Sequence, residues 1–486
     1  MKRRIGILEL VGVPAVTNWG HRWNKAFATR YASVMPQAVA CWLEDAGYEV
    51  DYRIYCGVGP LEQFLPNDCD TVFIACTGRT SGLARKASNL LRGRPGRRPL
   101  WNLKIVACGP HAASSPMKSI AYWADVIVKS CDREAVLEIV AGGGDYEFFL
   151  WDVPFDIDEL PSLERRAKFV HKTFGTRFRS WQLVPMLASV GCPNACDFCT
   201  EHDRKYSPLS MERVKEDLQY AEKQFRGRMV AWHDPNWGIR AGRYLDAITP
   251  GKNSHVVEME LRHATEEKML LRLREKRIKF VACGIESFRN YGNKLGISAT
   301  GMDRAWHVVE ELRTLQQSVP YVQANFLVGA DGESRADWDL LCWSIKQTPG
   351  VWWNITPVYA FPGTPMHQRL LKEERSPSIL PPCFACTPLL MRRLKDAEGN
   401  FVLPSLFYRR LRSVYSLQVS ESNKADTMMR KIYLRVRRTH AMDSIALLDD
   451  FLAHSDVLDA FYEDDGRRAL PEVYARLGRL WGLGKK

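Results

Sequence analysis

The chain has 486 residues, 46% of them hydrophobic and 26% charged, with 68 Lys and Arg against 56 Asp and Glu for a net charge of +12. These values describe a folded protein of several domains and exclude a largely disordered chain. No run approaches the roughly 18 uninterrupted apolar residues of a membrane span, and Glu9 interrupts the first apolar run with no small-residue cleavage site after it, so a buried first strand in a cytoplasmic protein is expected.

Residues 1–150 alternate strand-like and helix-like segments. RIGILELVG (4–12), EVDYRIY (49–55), TVFIACTG (71–78), KIVACGPH (104–111) and ADVIVKS (124–130) read as strands, and PQAVACWLEDAGY (36–48) as a helix. Strands alternating with helices predict an α/β, doubly wound, Rossmann-like parallel sheet. Ligands of such sheets sit beyond the carboxyl ends of the strands, which here carry Thr77–Gly82 and Cys108–Ala112. The stretch Arg79–Lys104 contains no acidic residue. It reads as a solvated helix face and a Pro/Gly/Arg loop in preference to a nucleic-acid surface.

Residues 151–180 lack a clear period and read as a connector. From 181 to 375 a second series follows, with strands expected at MLASVG (186–191), RMVAWHD (228–234), HVVEMELRH (255–263), KFVACGIES (279–287), YVQANFLVGA (321–330) and VWWNITPVYA (351–360). Helices fall between them, the first capped by Ser210. Six strands with intervening helices predict a partial (β/α)6 barrel, whose chemistry belongs on the loops at the carboxyl ends of its strands. Residues 376–486 change to helices rich in Arg and aromatics, FYRRLRSVYSLQV (407–419), MMRKIYLRVRRTH (428–440) and DSIALLDDFLAH (443–454), which suit a cap or lid.

Thirteen cysteines are too irregularly placed for a disulfide scaffold, and most sit singly in apolar segments as small buried hydrophobes. Cys383 and Cys386 form a C-x2-C pair that suits half a metal site or a redox couple. Cys192, Cys196 and Cys199, in GCPNACDFC, have the spacing C-x3-C-x2-C on the loop after the first strand of the second series. Three thiolates on one tight loop converge on a single small object. A [4Fe–4S] cluster held by three cysteines keeps one iron open. A zinc ion with His202 as a fourth ligand, and coincidence, are the alternatives. Phe198 offers an aromatic wall beside an open iron.

GCPNACDFC resembles the cluster motif of the radical S-adenosylmethionine superfamily, and the later motifs resemble its branch with an N-terminal cobalamin-binding domain. The resemblance implies a [4Fe–4S] cluster on Cys192, Cys196 and Cys199 that binds S-adenosylmethionine and cleaves its sulfonium to a 5′-deoxyadenosyl radical. It further assigns ligand contacts to Asn236 in WHDPN, Arg262, Glu286 and Ser287 in GIES, Gly329 in FLVGADGE and Val358 in PVYAFPGTP. Each has a plainer reading, since a Glu or Arg at a strand end is usually a surface ion pair and FPGTP is a good turn. In the first 150 residues the resemblance places cobalamin against Thr77, Arg79, Thr80, Ser81, Gly109, Pro110 and His111, the last equally suited to a hydrogen-bonded structural role. No Asp-x-His-x-x-Gly is present, Cys108 stands where the family often has glycine, and Ser130–Arg133 replaces a Gly-Glu-Gly-Glu turn.

The activity implied is cobalamin-dependent methyl transfer to an unactivated carbon of a small molecule, served by an external one-electron reductant of flavodoxin or ferredoxin type. Radical cyclisation or rearrangement without methyl transfer is the competing enzymatic expectation, and a corrinoid or iron–sulfur sensor the non-enzymatic one. RNA methylthiolation would need a further cysteine triplet that Cys41, Cys56, Cys69 and Cys76 do not form.

Overall fold

The computed structural model describes residues 3–14, 33–77, 80–93, 103–109, 120–142 apart from 122, 149–152, 155–174, 181–289, 299–375 and 394–453, with isolated positions at 22, 112, 455 and 459. Two six-stranded parallel sheets organise the chain.

The first sheet contains β1 (Arg4–Gly12), β2 (Glu49–Cys56), β3 (Thr71–Cys76), β4 (Lys104–Cys108), β5 (Val126–Ser130) and β6 (Phe149–Asp152), in the order β2-β1-β3-β4-β5-β6. Helices α1 (Val34–Asp45), α2 (Ser81–Arg92) and α3 (Arg133–Ala141) connect them. Alternate residues of one strand feed opposite cores. Ile5 and Ile7 join α1 and α3 on one face, and Leu8 and Leu10 join α2 on the other. This is the doubly wound arrangement, and the chain reverses direction across the sheet between β1 and β3. β6 is an addition to the five strands the sequence suggests. Helix α2 leaves Lys86, Asn89 and Arg92 exposed.

The segment 151–180 is more than a connector. It ends β6 and carries helix α4 (Leu163–Thr173), capped by the Ser162 hydroxyl. Arg166 on this helix is fully buried and donates to Pro161 O at 3.0 Å, Gln37 Oε1 of α1 at 3.0 Å and Pro185 O of the second sheet at 3.3 Å. A guanidinium bonded to three segments ties the two sheets together beside one continuous apolar core.

The second sheet contains β7 (Leu183–Met186), β10 (Met229–Trp232), β11 (Ser254–Glu260), β12 (Ile278–Glu286), β13 (Tyr321–Val328) and β14 (Trp352–Pro357). They are laid side by side in sequence order. That order, with helices between successive strands, is consistent with a partial (β/α) barrel. β7 begins three residues before the expected MLASVG segment. It accommodates Pro185 because it is an edge strand, where a missing N–H breaks no inner ladder. Ser189–Val190 (β8) instead pairs with Ser207–Pro208 (β9) in a two-stranded ribbon. The intervening helices are α5 (Met211–Gln224), α6 (Ala241–Ala247), the short α7 (Leu261–Ala264), α8 (Glu267–Glu275), α9 (Gly301–Ser318) and α10 (Arg335–Gln347), followed by α11 (Pro365–Lys372).

The C-terminal helices complete this sheet. On α12 (Pro404–Glu421), Gln418 Oε1 accepts from Trp353 N at 3.1 Å and the Tyr415 hydroxyl donates to Ile355 O at 3.0 Å, which covers the free edge of β14. Helix α13 (Met428–Leu452) is one continuous element where the sequence suggests two. Its Tyr433, Leu434 and Ala441 pack with Tyr321, Trp352 and Phe280 at the amino ends of the strands. No helix among the described residues is long and apolar enough to cross a membrane.

Candidate active site

The loop that bears the three cysteines is closed at its base. Ala188 N and Ser189 Oγ donate to Asp234 at 3.2 and 2.5 Å, and His233 N bonds Met186 O at 2.8 Å. Asp234 is buried, which pushes its pKa up to about 7 against the pull of these donors. Gly191 starts the loop at φ +69°, and a Cβ there would stand 2.3 Å from Lys205 O across the β8–β9 ribbon. Only glycine fits that approach.

Cys192 lies close enough to Cys199 to raise its cost of ionisation, although burial is the main reason that both thiols titrate high. Asn194 N and the Asn236 side chain ease Cys192 the other way, and Glu201 N donates to Cys199 Sγ at 3.4 Å. Cys196 is buried at 8% exposure. Among the described residues no three His, Cys, Asp or Glu side chains converge tightly enough for a single metal ion. His202 Nδ1 contacts Cys199 O at 3.0 Å. Three cysteines on one loop are the donor set a four-iron cluster with one open iron takes. The orphaned Asn236 Oδ1, buried beside Cys192, adds a polar atom in need of a partner there.

Glu260, the last residue of β11, ties the site together. Its Oε1 accepts from Asn194 Nδ2 at 2.8 Å and Asn236 Nδ2 at 3.0 Å, and its Oε2 pairs with Arg262 Nε at 2.7 Å. The cysteine loop, the loop after β10 and helix α7 thus share one carboxylate. Arg262 keeps its side chain 47% exposed, free to meet an anion on its outer edge.

Glu286 ends β12 at φ +64°, where a non-glycine residue stores strain, just past a register shift against β13. Its carboxylate bears electrostatically on Cys199. Ser287 is buried and accepts from Arg289 N at 3.0 Å, a local turn contact. Phe198 packs with Val358, Ala360, Met366, Leu370 and Leu327. Asp197 beside it pairs with Arg369 of α11 at 3.2 Å. Gly329 takes φ +81°, but the ring of Phe407 on α12 stands 2.9 Å from where its Cβ would be. Glu333 accepts from Gly329 N and Ala330 N at 2.9 and 3.0 Å, holding this loop from within. What this glycine admits in this structure is therefore an aromatic side chain.

At the carboxyl edge of the first sheet, Thr80 Oγ1 donates to Leu10 O at 3.0 Å and accepts from Thr77 N at 3.0 Å, so this hydroxyl serves the fold. Ser81 opens α2, and Gly109, at φ +82°, lies against Cys76. Arg79, Pro110, His111, Cys383 and Cys386 lie outside the described residues.

Glu260 carries no motif of its own, while Asn194 lies within GCPNACDFC and Asp234 within WHDPN, neither singled out there. The available signal for Glu260 is its alternation with Glu258 in the otherwise apolar HVVEMEL, two carboxylates on one face of a central strand. Asn194 and Asp234 become legible only once the loops are folded together.

No family model and no curated protein matches the chain. Among solved structures, methylornithine synthase (PylB) aligns over 43% of this chain and 63% of its own, with 21% identity and a TM-score of 0.27. Ochratoxinase from A. niger aligns over 70% of this chain and 58% of its own, with 12% identity and a TM-score of 0.18. The chain spans less than two thirds of either structure's length. At such TM-scores neither superposition defines a shared fold, and the functional reading rests on the site itself.

Proposed function

We propose that the chain is a radical S-adenosylmethionine enzyme whose [4Fe–4S] cluster is held by Cys192, Cys196 and Cys199. The observation that carries the reading is the C-x3-C-x2-C loop following the first strand of a sequentially ordered parallel sheet, with Cys192 and Cys199 beside Glu286 and the Glu260–Asn236–Arg262 set. Bound there, the cluster supplies one electron that splits the sulfonium carbon–sulfur bond of S-adenosylmethionine. Arg262 is the group for the ligand's carboxylate, and Glu260 and Glu286 supply acceptors for its ammonium. Phe198 and Val358 give that region an apolar wall.

The finer reading is methyl transfer to an unactivated carbon of a small molecule, with cobalamin carried at the carboxyl edge of the first sheet. The strand order β2-β1-β3-β4-β5-β6 and its reversal between β1 and β3 support it. The test is anaerobic incubation of the reconstituted protein with hydroxocobalamin, S-adenosylmethionine and a strong reductant, with products quantified by mass spectrometry. 5′-Deoxyadenosine together with S-adenosylhomocysteine supports methyl transfer. Deoxyadenosine alone moves the assignment to cyclisation or rearrangement, and neither product with iron bound refutes the enzyme.

A further inference from the structure

The face of the second sheet turned away from its helices is polar where a protein interior is ordinarily apolar. Toward the helices, Val257, Met259, Val281, Cys283, Ile285, Val322, Ala324 and Phe326 join one apolar core. On the opposite face the register sets Glu258, Ala282 and Gln323 in one row across β11, β12 and β13, and Glu260, Gly284, Asn325 and Asn354 in the next. Below them Phe280 and Tyr321 close the face with Tyr433 of α13, at ring separations of 5.7 and 4.9 Å from it. Above them stand Glu286 and the cysteine loop. Between these flanks β12 presents only small residues, Ala282, 2% exposed, and Gly284, a strip of low relief, or trough, that runs from the aromatic layer toward the candidate cluster.

The walls of this trough offer acceptors. Gln323 is nine-tenths buried, and its Nε2 donates to Asn325 Oδ1 at 2.8 Å, as does Asn354 Nδ2 at 3.1 Å. In this arrangement Asn325 Oδ1 receives two donors, and Gln323 Oε1 meets no group among the described residues. Across Ala282, Glu258 has no hydrogen bond or ion pair among the described residues, and it is exposed although it sits within a central strand. Its surroundings still raise its pKa, by burial first and by Glu286 second. Arg437 of α13 lies over the Phe280 and Tyr433 rings, and Arg262 pairs with Glu260 in the next row. The strands bearing Glu258 and Gln323 are two apart, about 10 Å, so one compact donor group over Ala282 reaches both side chains.

We infer that this trough is the substrate subsite of the enzyme proposed above, and that the substrate enters it with a protonated amine, held between the Glu258 carboxylate and the Gln323 amide oxygen. An ammonium supplies three donors and the compensating charge, whereas a hydroxyl supplies one donor and a carboxylate none. The amine end points down to the aromatic layer, which leaves the rest of the substrate directed up toward Glu286 and the cysteines. The inference rests on the radical-enzyme reading for calling the occupant a substrate. The trough's preference for an ammonium stands on its own residues.

The test uses ligand-observed saturation-transfer NMR on the full, anaerobically reconstituted chain, with n-butylammonium, n-butanol and butyrate as probes at constant ionic strength. Butylammonium is expected to bind roughly tenfold or more tightly than butanol, with butyrate not binding. Glu258→Gln is expected to erase that preference, and Gln323→Leu to reduce it severalfold. Equal binding of butylammonium and butanol overturns the inference, as does unchanged butylammonium binding by E258Q. Should E258Q fail to fold, the wild-type probe comparison decides alone. The same preparation is assayed for thiol-bound iron and for deoxyadenosine. Both present without ammonium preference refutes the subsite and leaves the enzyme standing, and ammonium preference without deoxyadenosine does the reverse.

Discussion

At the carboxyl edge of the first sheet, Cys76 and Cys108 end neighbouring strands and Cys131 follows the next. Burial pushes all three thiols far above their ordinary range. Glu9 nearby accepts from Ser33 N and the Tyr52 hydroxyl, and Thr80 consumes its hydroxyl on Leu10 and Thr77. The edge of the second sheet is built the other way. Glu286 is strained, Asn236 Oδ1 and Gln323 Oε1 are unmet, and Glu258 and Arg262 stand exposed. Among the described residues, the first edge meets its own polar groups and the second keeps polar capacity in reserve. Reserve of that kind costs stability and is expected where a ligand restores it.

The largest expected effect separates the two edges outright. Cys196→Ala should lose the reconstituted iron and all deoxyadenosine formation, while Cys108→Ala keeps both, as read by iron analysis and mass spectrometry. Comparable iron loss in both variants would break the distinction. Next, Glu260→Ala removes the acceptor of Asn194 and Asn236 and the partner of Arg262, and should cost about 4 kcal/mol in denaturant titration, with faster iron release to a chelator.

The pH dependence should run in opposite directions at two buried groups, one in each sheet. Burial raises Glu9 to about 7, so the native chain binds the extra proton and stability falls as pH climbs from 4.5 to 7, by up to about 3 kcal/mol. Burial lowers His255 to about 3, its Nδ1 accepting from Trp232 Nε1 at 3.2 Å, so stability falls instead as pH drops below 6.5. Glu9→Gln should flatten the first slope and His255→Asn the second, measured as variant-minus-wild-type stability between pH 4 and 8. The smallest effect is Thr80→Val, a loss of about 1 kcal/mol with iron content unchanged. If it altered iron content, the self-satisfied edge would be coupled to the reserved one.

Local patterns were legible and long-range ones were not. β1 to β5 stand out as short apolar runs between turn signals, and the cysteine loop because its three thiols lie within eight residues. β6 is illegible in the sequence because FLWD is four residues long. Helix α4 is so because its period is brief and flanked by Pro161 and the connector's polar residues. The strand expected at MLASVG formed at LVPM because edge position removes the penalty on Pro185. No breaker lies between Thr439 and Ser444, so α13 runs on as a single helix. Glu260 gathers residues 66 and 24 positions away, and no local window contains such a relation.

The central claim is most directly tested by reducing the cluster-loaded protein anaerobically with S-adenosylmethionine and counting 5′-deoxyadenosine against iron. The account predicts deoxyadenosine from the wild type and none from Cys196→Ala. Iron-replete wild-type protein that makes none, or a Cys196→Ala variant that still does, would contradict it.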